Sequence, residues 1–125
     1  MRYGTQAYGA VAKEIASPRD LEANLLLKAA AQLQAVHDSW TENDRSNLQN
    51  ALLYNRKLWT IFLDSAVSED SQLPVEIRQN VANLGLFVMK QTLSVTSDPK
   101  PEGLAPLINI NRQLAAGLRE QGQAR

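Results

Sequence analysis

The hydrophobic pattern is densest between Leu48 and Leu63. This stretch holds one of the two Trp, one of the three Tyr and one of the two Phe in the chain. Leu48, Leu52, Trp59 and Phe62 recur at steps of three, four or seven, with Asn55 in the gap, so they share one face of an α-helix. Ala51, Leu58 and Leu63 widen that face, and over Leu58–Leu63 the segment is apolar on nearly all sides. A helix of that kind sits inside a bundle or offers a second face to a partner.

The same 3.6-residue period organises the rest of the chain. Tyr8, Val11, Ala12 and Ile15 predict a first helix over about residues 4–16, weakened by Gly4 and Gly9. Ser17-Pro18-Arg19-Asp20 is a start signal: Ser17 as cap, Pro18 at the first helical position, and Asp20 at the positive end of the dipole. The second helix is then expected over residues 18–38, with Leu21, Leu25, Ala29, Leu33, Val36 and Trp40 as its stripe and Leu26 and Ala30 flanking. Ala29 to Ala31 permit close helix–helix approach. Thr41-Glu42-Asn43-Asp44 repeats the capping logic and predicts a third helix over 42–66, antiparallel to the second across so short a link. Val67–Leu73 reads as a polar surface loop.

Pro74 predicts a fourth helix over 74–96, with Ile77, Val81, Leu84, Val88 and Val95 as its main stripe and Leu86, Met89 and Leu93 on a second side. Gly85 in mid-helix is best explained by close packing on a neighbour. The run Ser97–Gly103 breaks the pattern. A fifth helix over 104–121 carries Leu107, Ile110, Leu114 and Leu118, with Ile108 to one side and Gly122 as its expected stop. No strand-period segment, internal repeat or heptad array appears. The expected fold is all-α: a single small bundle of four to five helices with short loops over residues 1–125.

Composition narrows the function more than the fold. A chain of 125 residues is about one domain and buries roughly two thirds of its unfolded surface, enough for one core. With no Cys, disulfide frameworks, thiol nucleophiles and Cys-rich zinc sites are excluded. Lys plus Arg and Asp plus Glu are 13 each, for a net charge of zero. The basic excess usual for direct RNA binding is therefore missing. Met1–Gln6 has no apolar signal core, and the longest apolar run, Leu84–Met89, is far short of the ~20 residues of a membrane span. A cytoplasmic protein without membrane contact is expected.

Candidate chemistry is sparse. The lone His37, near the end of the second helix, is a favourable partner for the helix dipole and cannot make a two-His metal motif. No phosphate-binding glycine loop is present. Asp64, Glu69 and Asp70 cluster at a loop, but nothing there orients them as an acid–base pair. We expect no enzyme, no catalytic or metal residue and no cofactor. Two polar positions stand out on apolar stripes: Asn55, and Asn111 with Arg112. Each reads first as an amide tying two helices together and second as a partner contact. The other candidate contacts are Tyr8, Tyr54, Arg56, Trp59 and Phe87. An apolar groove left over by Leu58–Leu63 and Leu84–Met89 would suit an amphipathic helix.

These residues, in their order, resemble the FlaF family of flagellar proteins from α-proteobacteria. The matching elements are Ala7-Tyr8, then Pro18-Arg19 with Glu22, then Ala51-Leu52 followed by Asn55-Arg56-Lys57-Leu58-Trp59. Leu73-Pro74 with Arg78, the apolar stretch Leu84–Val88, Leu107-Ile108-x-Ile110-Asn111-Arg112 and Gly117-Leu118 complete the match over residues 7–118. Phe87 stands where the family more often has Trp. The resemblance implies a factor in flagellum assembly that binds newly made flagellin and promotes its synthesis or export. It also implies the alternatives: a regulator of flagellin translation acting through the FlbT protein or flagellin messenger RNA, or a structural adaptor of the export apparatus. Zero net charge favours protein contact over RNA. Sequence leaves open whether the chain is a monomer or a weak homo-oligomer.

Overall fold

The computed structural model describes residues 18–42, 45–71 and 73–123. The expected first helix over 4–16, with Tyr8 and the Ser17 cap, lies outside them. The described residues form four α-helices: α1 (Pro18–Asp38), α2 (Ser46–Val67), α3 (Val75–Ser97) and α4 (Ala105–Gln123). A single 3-10 turn, Pro101–Leu104, leads into α4. The fold is a small all-α bundle, with no strand among the described residues.

Helix ends follow local chemistry, with two corrections. Pro18 opens α1, Asp20 lies in its first turn and His37 in its last, each placed to suit the macrodipole. The structure starts α2 at Ser46, four residues later than the Thr41–Asp44 signal predicts. Arg45 is its N-cap and forms no side-chain cap bond; its Nε instead donates to the Glu42 carbonyl at 3.2 Å. The far end of α2 is closed from α3. Arg78 donates through Nε to the Ala66 carbonyl (2.9 Å) and through Nη2 to the Ser68 carbonyl (3.3 Å), supplying partners that a helix C-terminus lacks internally. The second correction is at α4, which continues through Gly122 to Gln123 rather than stopping there.

Packing is uneven. The most extensive helix pair is α1 with α4, followed by α2 with α3 and α1 with α2, whereas α3 barely meets α4. One core runs through all four helices; α1 packs on both α4 and α2, α3 is held mainly by α2, and α2 and α4 meet through long side chains. On α1 the buried residues are Ala23, Leu26, Ala29, Ala30 and Leu33. Leu21 (52% exposed) and Leu25 face outward, and Ala31 is exposed. The predicted stripe was thus turned by part of a helical turn. On α2 the expected face holds: Leu48, Leu52, Asn55, Trp59 and Phe62 are all buried. On α3 the buried stripe is Val81, Gly85, Val88, Thr92 and Val95, with Ile77 and Leu84 only partly covered. Gly85 has the expected reason, since a Cβ there would come within 2.8 Å of Leu63 Cγ on α2.

Candidate functional site

The polar positions on the apolar stripes meet in one buried network. Asn55 and Trp59 are four residues apart on α2 and so share a face, and Asn111 reaches them from α4. Trp59 Nε1 donates to Asn111 Oδ1 at 2.9 Å. An indole N–H can only donate, so Asn111 must turn its oxygen to Trp59 and its NH₂ elsewhere. That NH₂ donates to Asn55 Oδ1 at 2.7 Å and to the Leu26 carbonyl of α1 at 3.4 Å. All three side chains are fully buried. The network ties α1, α2 and α4 together, as the structural reading of the two amides anticipates. It also corrects the contact reading: Asn55, Trp59 and Asn111 present nothing at the surface.

The remaining candidates are dispersed. Tyr54 is partly buried, with Lys28 Nζ of α1 5.7 Å from its ring centroid. Arg112 Nη2 donates to Gln34 Oε1 at 3.4 Å across the α1–α4 surface. Phe87 is exposed on α3 and Arg56 on α2. Of these four, Arg56 lines a concave surface.

That surface is a groove of about 510 Å³ between the first half of α2 and the second half of α3. Leu48, Leu52, Met89 and Thr92 lie deep in it, while Leu53 and Leu93 are its exposed apolar liners at 40% and 67%. Arg45 and Arg56 stand one helix face and eleven residues apart along α2, which is about 16 Å. Its lining is mostly apolar. The hydroxyls of Thr92 and Thr96 donate to the carbonyls four residues back, of Val88 (2.7 Å) and Thr92 (2.8 Å), so they are already partnered. Leu53 and Leu93, the exposed liners, fall outside the buried stripes of their helices. That mismatch between apolar character and stripe position was the available sequence signal, and Arg45 carried none.

Burial raises the Glu22 carboxyl above its ordinary range, against the lowering effect of Arg19 beside it, and this pair lies at the start of α1, away from the groove. Hydrogen bonds from His37 and then Gln34 lower Asp38, which is fully exposed. Among the described residues, no group of three or more His, Cys, Asp or Glu is placed to hold a metal ion. Nor, among them, is any helix long and apolar enough to cross a membrane.

No curated protein and no solved structure matches the chain. A family model described as flagellar protein FlaF matches residues 4–118. This interval contains all four elements of the bundle up to the last turn of α4, including the amide network and the groove. Because the match runs over nearly the whole length, the chain belongs to the flagellar protein FlaF family.

Proposed function

We propose that this FlaF-family protein is a flagellum assembly factor that binds newly made flagellin in the cytoplasm and promotes its synthesis or export, without catalysing a reaction. The observation that carries this reading is the open α2–α3 groove, where Leu53 and Leu93 stay uncovered beside Leu48, Leu52 and Met89. The family resemblance implies a partner, flagellin, whose terminal segments form helices in the filament. A groove between two helices suits such a segment by its i, i+3 or i+4, and i+7 side chains. Covering it would delay polymerisation. Folding the segment on binding would cost several kcal/mol of the gross interaction, roughly what keeps such a complex reversible.

The test is titration calorimetry of the protein against monomeric flagellin at low and high salt. Micromolar or tighter binding that survives high salt, with a negative heat-capacity change, is the expected result. Absence of heat and of a complex would remove direct flagellin binding. A zero net charge weighs against the messenger RNA alternative, whose affinity would fall steeply with salt.

A further inference from the structure

The charges of the α2–α3 pair are separated along its length. From Ser46 to Leu63 and from Ile77 to Ser97 there is no Asp or Glu, while Arg56, Lys57, Arg78 and Lys90 fall within those spans. The acids within the pair and its connecting loop gather at the opposite end, at Asp64, Glu69, Asp70 and Glu76, while Glu42 and Asp98 flank the groove end, Asp98 being paired with Lys100 at 3.3 Å. Arg78 is occupied in closing the end of α2. Arg45 and Arg56, at the groove, form no ion pair among the described residues, and no carboxylate lines the groove.

The groove also dictates the backbone state of what fills it. Both walls are helices, whose backbone groups are bonded internally, so no strand edge is available to pair with an extended peptide. The two threonine hydroxyls spend their protons within α3 and keep only acceptor lone pairs. An extended chain would leave its own N–H and C=O groups unpaired against apolar walls, at a cost that a helix avoids by bonding to itself.

We infer that the α2–α3 groove takes an amphipathic helix of a partner protein, with its apolar stripe on Leu52, Leu53, Met89 and Leu93 and with carboxylates about three turns apart that pair with Arg45 and Arg56. This rests on reading the groove as a protein-docking site and adds the partner's chemistry: acidic at both ends of the stripe. The pairs are partly exposed, so each adds little to the affinity. They set orientation and choice of partner, and the apolar stripe supplies most of the affinity.

The test uses two labelled synthetic helices of about 15 residues against the full chain. Both carry leucines at i, i+4 and i+7; one has Glu and the other Lys at the two flanking positions. Fluorescence anisotropy at low salt is expected to show the Glu helix binding about tenfold more tightly. The double variant Arg45→Glu, Arg56→Glu should reverse that order without moving the melting temperature, because both arginines are exposed. Leu93→Asp should abolish binding of either helix while leaving the fold intact. Equal affinity for the two helices, failure of both to bind, or an order unchanged by the double reversal would overturn the inference. Two outcomes separate this inference from the flagellin reading. Glu-helix binding with the expected reversal but no flagellin binding removes flagellin and keeps the acidic helix. Flagellin binding that is indifferent to Leu93→Asp keeps flagellin and removes the groove.

Discussion

The bundle has two regions built on different principles. The α1–α2–α4 region is closed: α1 packs on both α4 and α2, its alanines allow close approach, and a buried amide network carries the contact between α2 and α4 and joins all three. The α2–α3 region is a two-helix contact with an open side. There α3 leans on α2, scarcely reaches α4, and leaves Leu93 and Leu53 facing a groove. The same helix, α2, serves both. Asn55 and Trp59 look inward to α4, while Leu53 and Arg56, on neighbouring positions, look toward the groove. Apolar residues of one helix thus have opposite duties, one set holding the fold and the other left available.

The sharpest way to break this comparison is at Trp59. Removing its ring empties the centre of the closed region, where it also packs 6.1 Å from Phe62 between ring centroids. Trp59→Ala is expected to cost about 3–5 kcal/mol in urea unfolding. A loss of under about 1 kcal/mol, typical of surface positions, would mean that the three-helix region is not the stability core.

The amide network offers a finer cut, because its two members are not equivalent. Asn111 serves Trp59, Asn55 and the Leu26 carbonyl at once. Asn111→Ala strands a buried donor, Trp59 Nε1, and a buried acceptor, Asn55 Oδ1, and is expected to cost about 2–3 kcal/mol. Asn55 makes one bond in the network, and its Nδ2 is already buried without a partner. Asn55→Ala loses that bond but also removes the unpaired donor, so about 1 kcal/mol is expected. Equal costs, measured by the same unfolding curves, would mean that Asn111 is not the hub.

The closed region was the more legible of the two in sequence. Long 3.6-residue periods revealed the helices, and the α2 stripe from Leu48 to Phe62 was read on its correct face. Asn55 and Asn111 stood out because amides interrupted apolar stripes. Their bond to one another did not, since periodicity says which face is buried and not what lies opposite. On α1 two stripes compete: Leu21–Leu25–Ala29–Leu33 and Ala23–Leu26–Ala30–Leu33 both repeat at helical spacing. The first carries more apolar bulk, but the buried face is the second together with Ala29, where the alanines permit a close approach. The groove was anticipated in kind but placed in the wrong stretches. It depends on the register between α2 and α3, which brings Leu53 beside Leu93, and no one-dimensional period encodes that register. The capping signal at Thr41–Asp44 misled for a related reason, since several residues there could cap and the helix starts beyond all of them, at Ser46.

The smallest expected effects come from two glycines, one in each region, and they test how tightly the open region is closed along its seam. Both lie inside helices, where Ala is favoured over Gly by up to about 1 kcal/mol. At Gly117 on α4 an added Cβ has nothing within 4 Å, so Gly117→Ala should stabilise by about 0.5–1 kcal/mol. At Gly85 the same methyl would meet the Leu63 side chain, with Cγ at 2.8 Å and Cδ1 at 2.9 Å. Crowding of that kind costs about 1–3 kcal/mol, which outweighs the propensity gain, so Gly85→Ala should be neutral to destabilising by about 1–2 kcal/mol. Opposite signs for the two variants would establish that α3 is pressed onto α2 at Gly85 even though its other end borders an open groove. If Gly85→Ala instead stabilised as much as Gly117→Ala, Leu63 would be free to swing aside. The α2–α3 seam would then be loose along its whole length, and the groove would be one end of a contact able to open further.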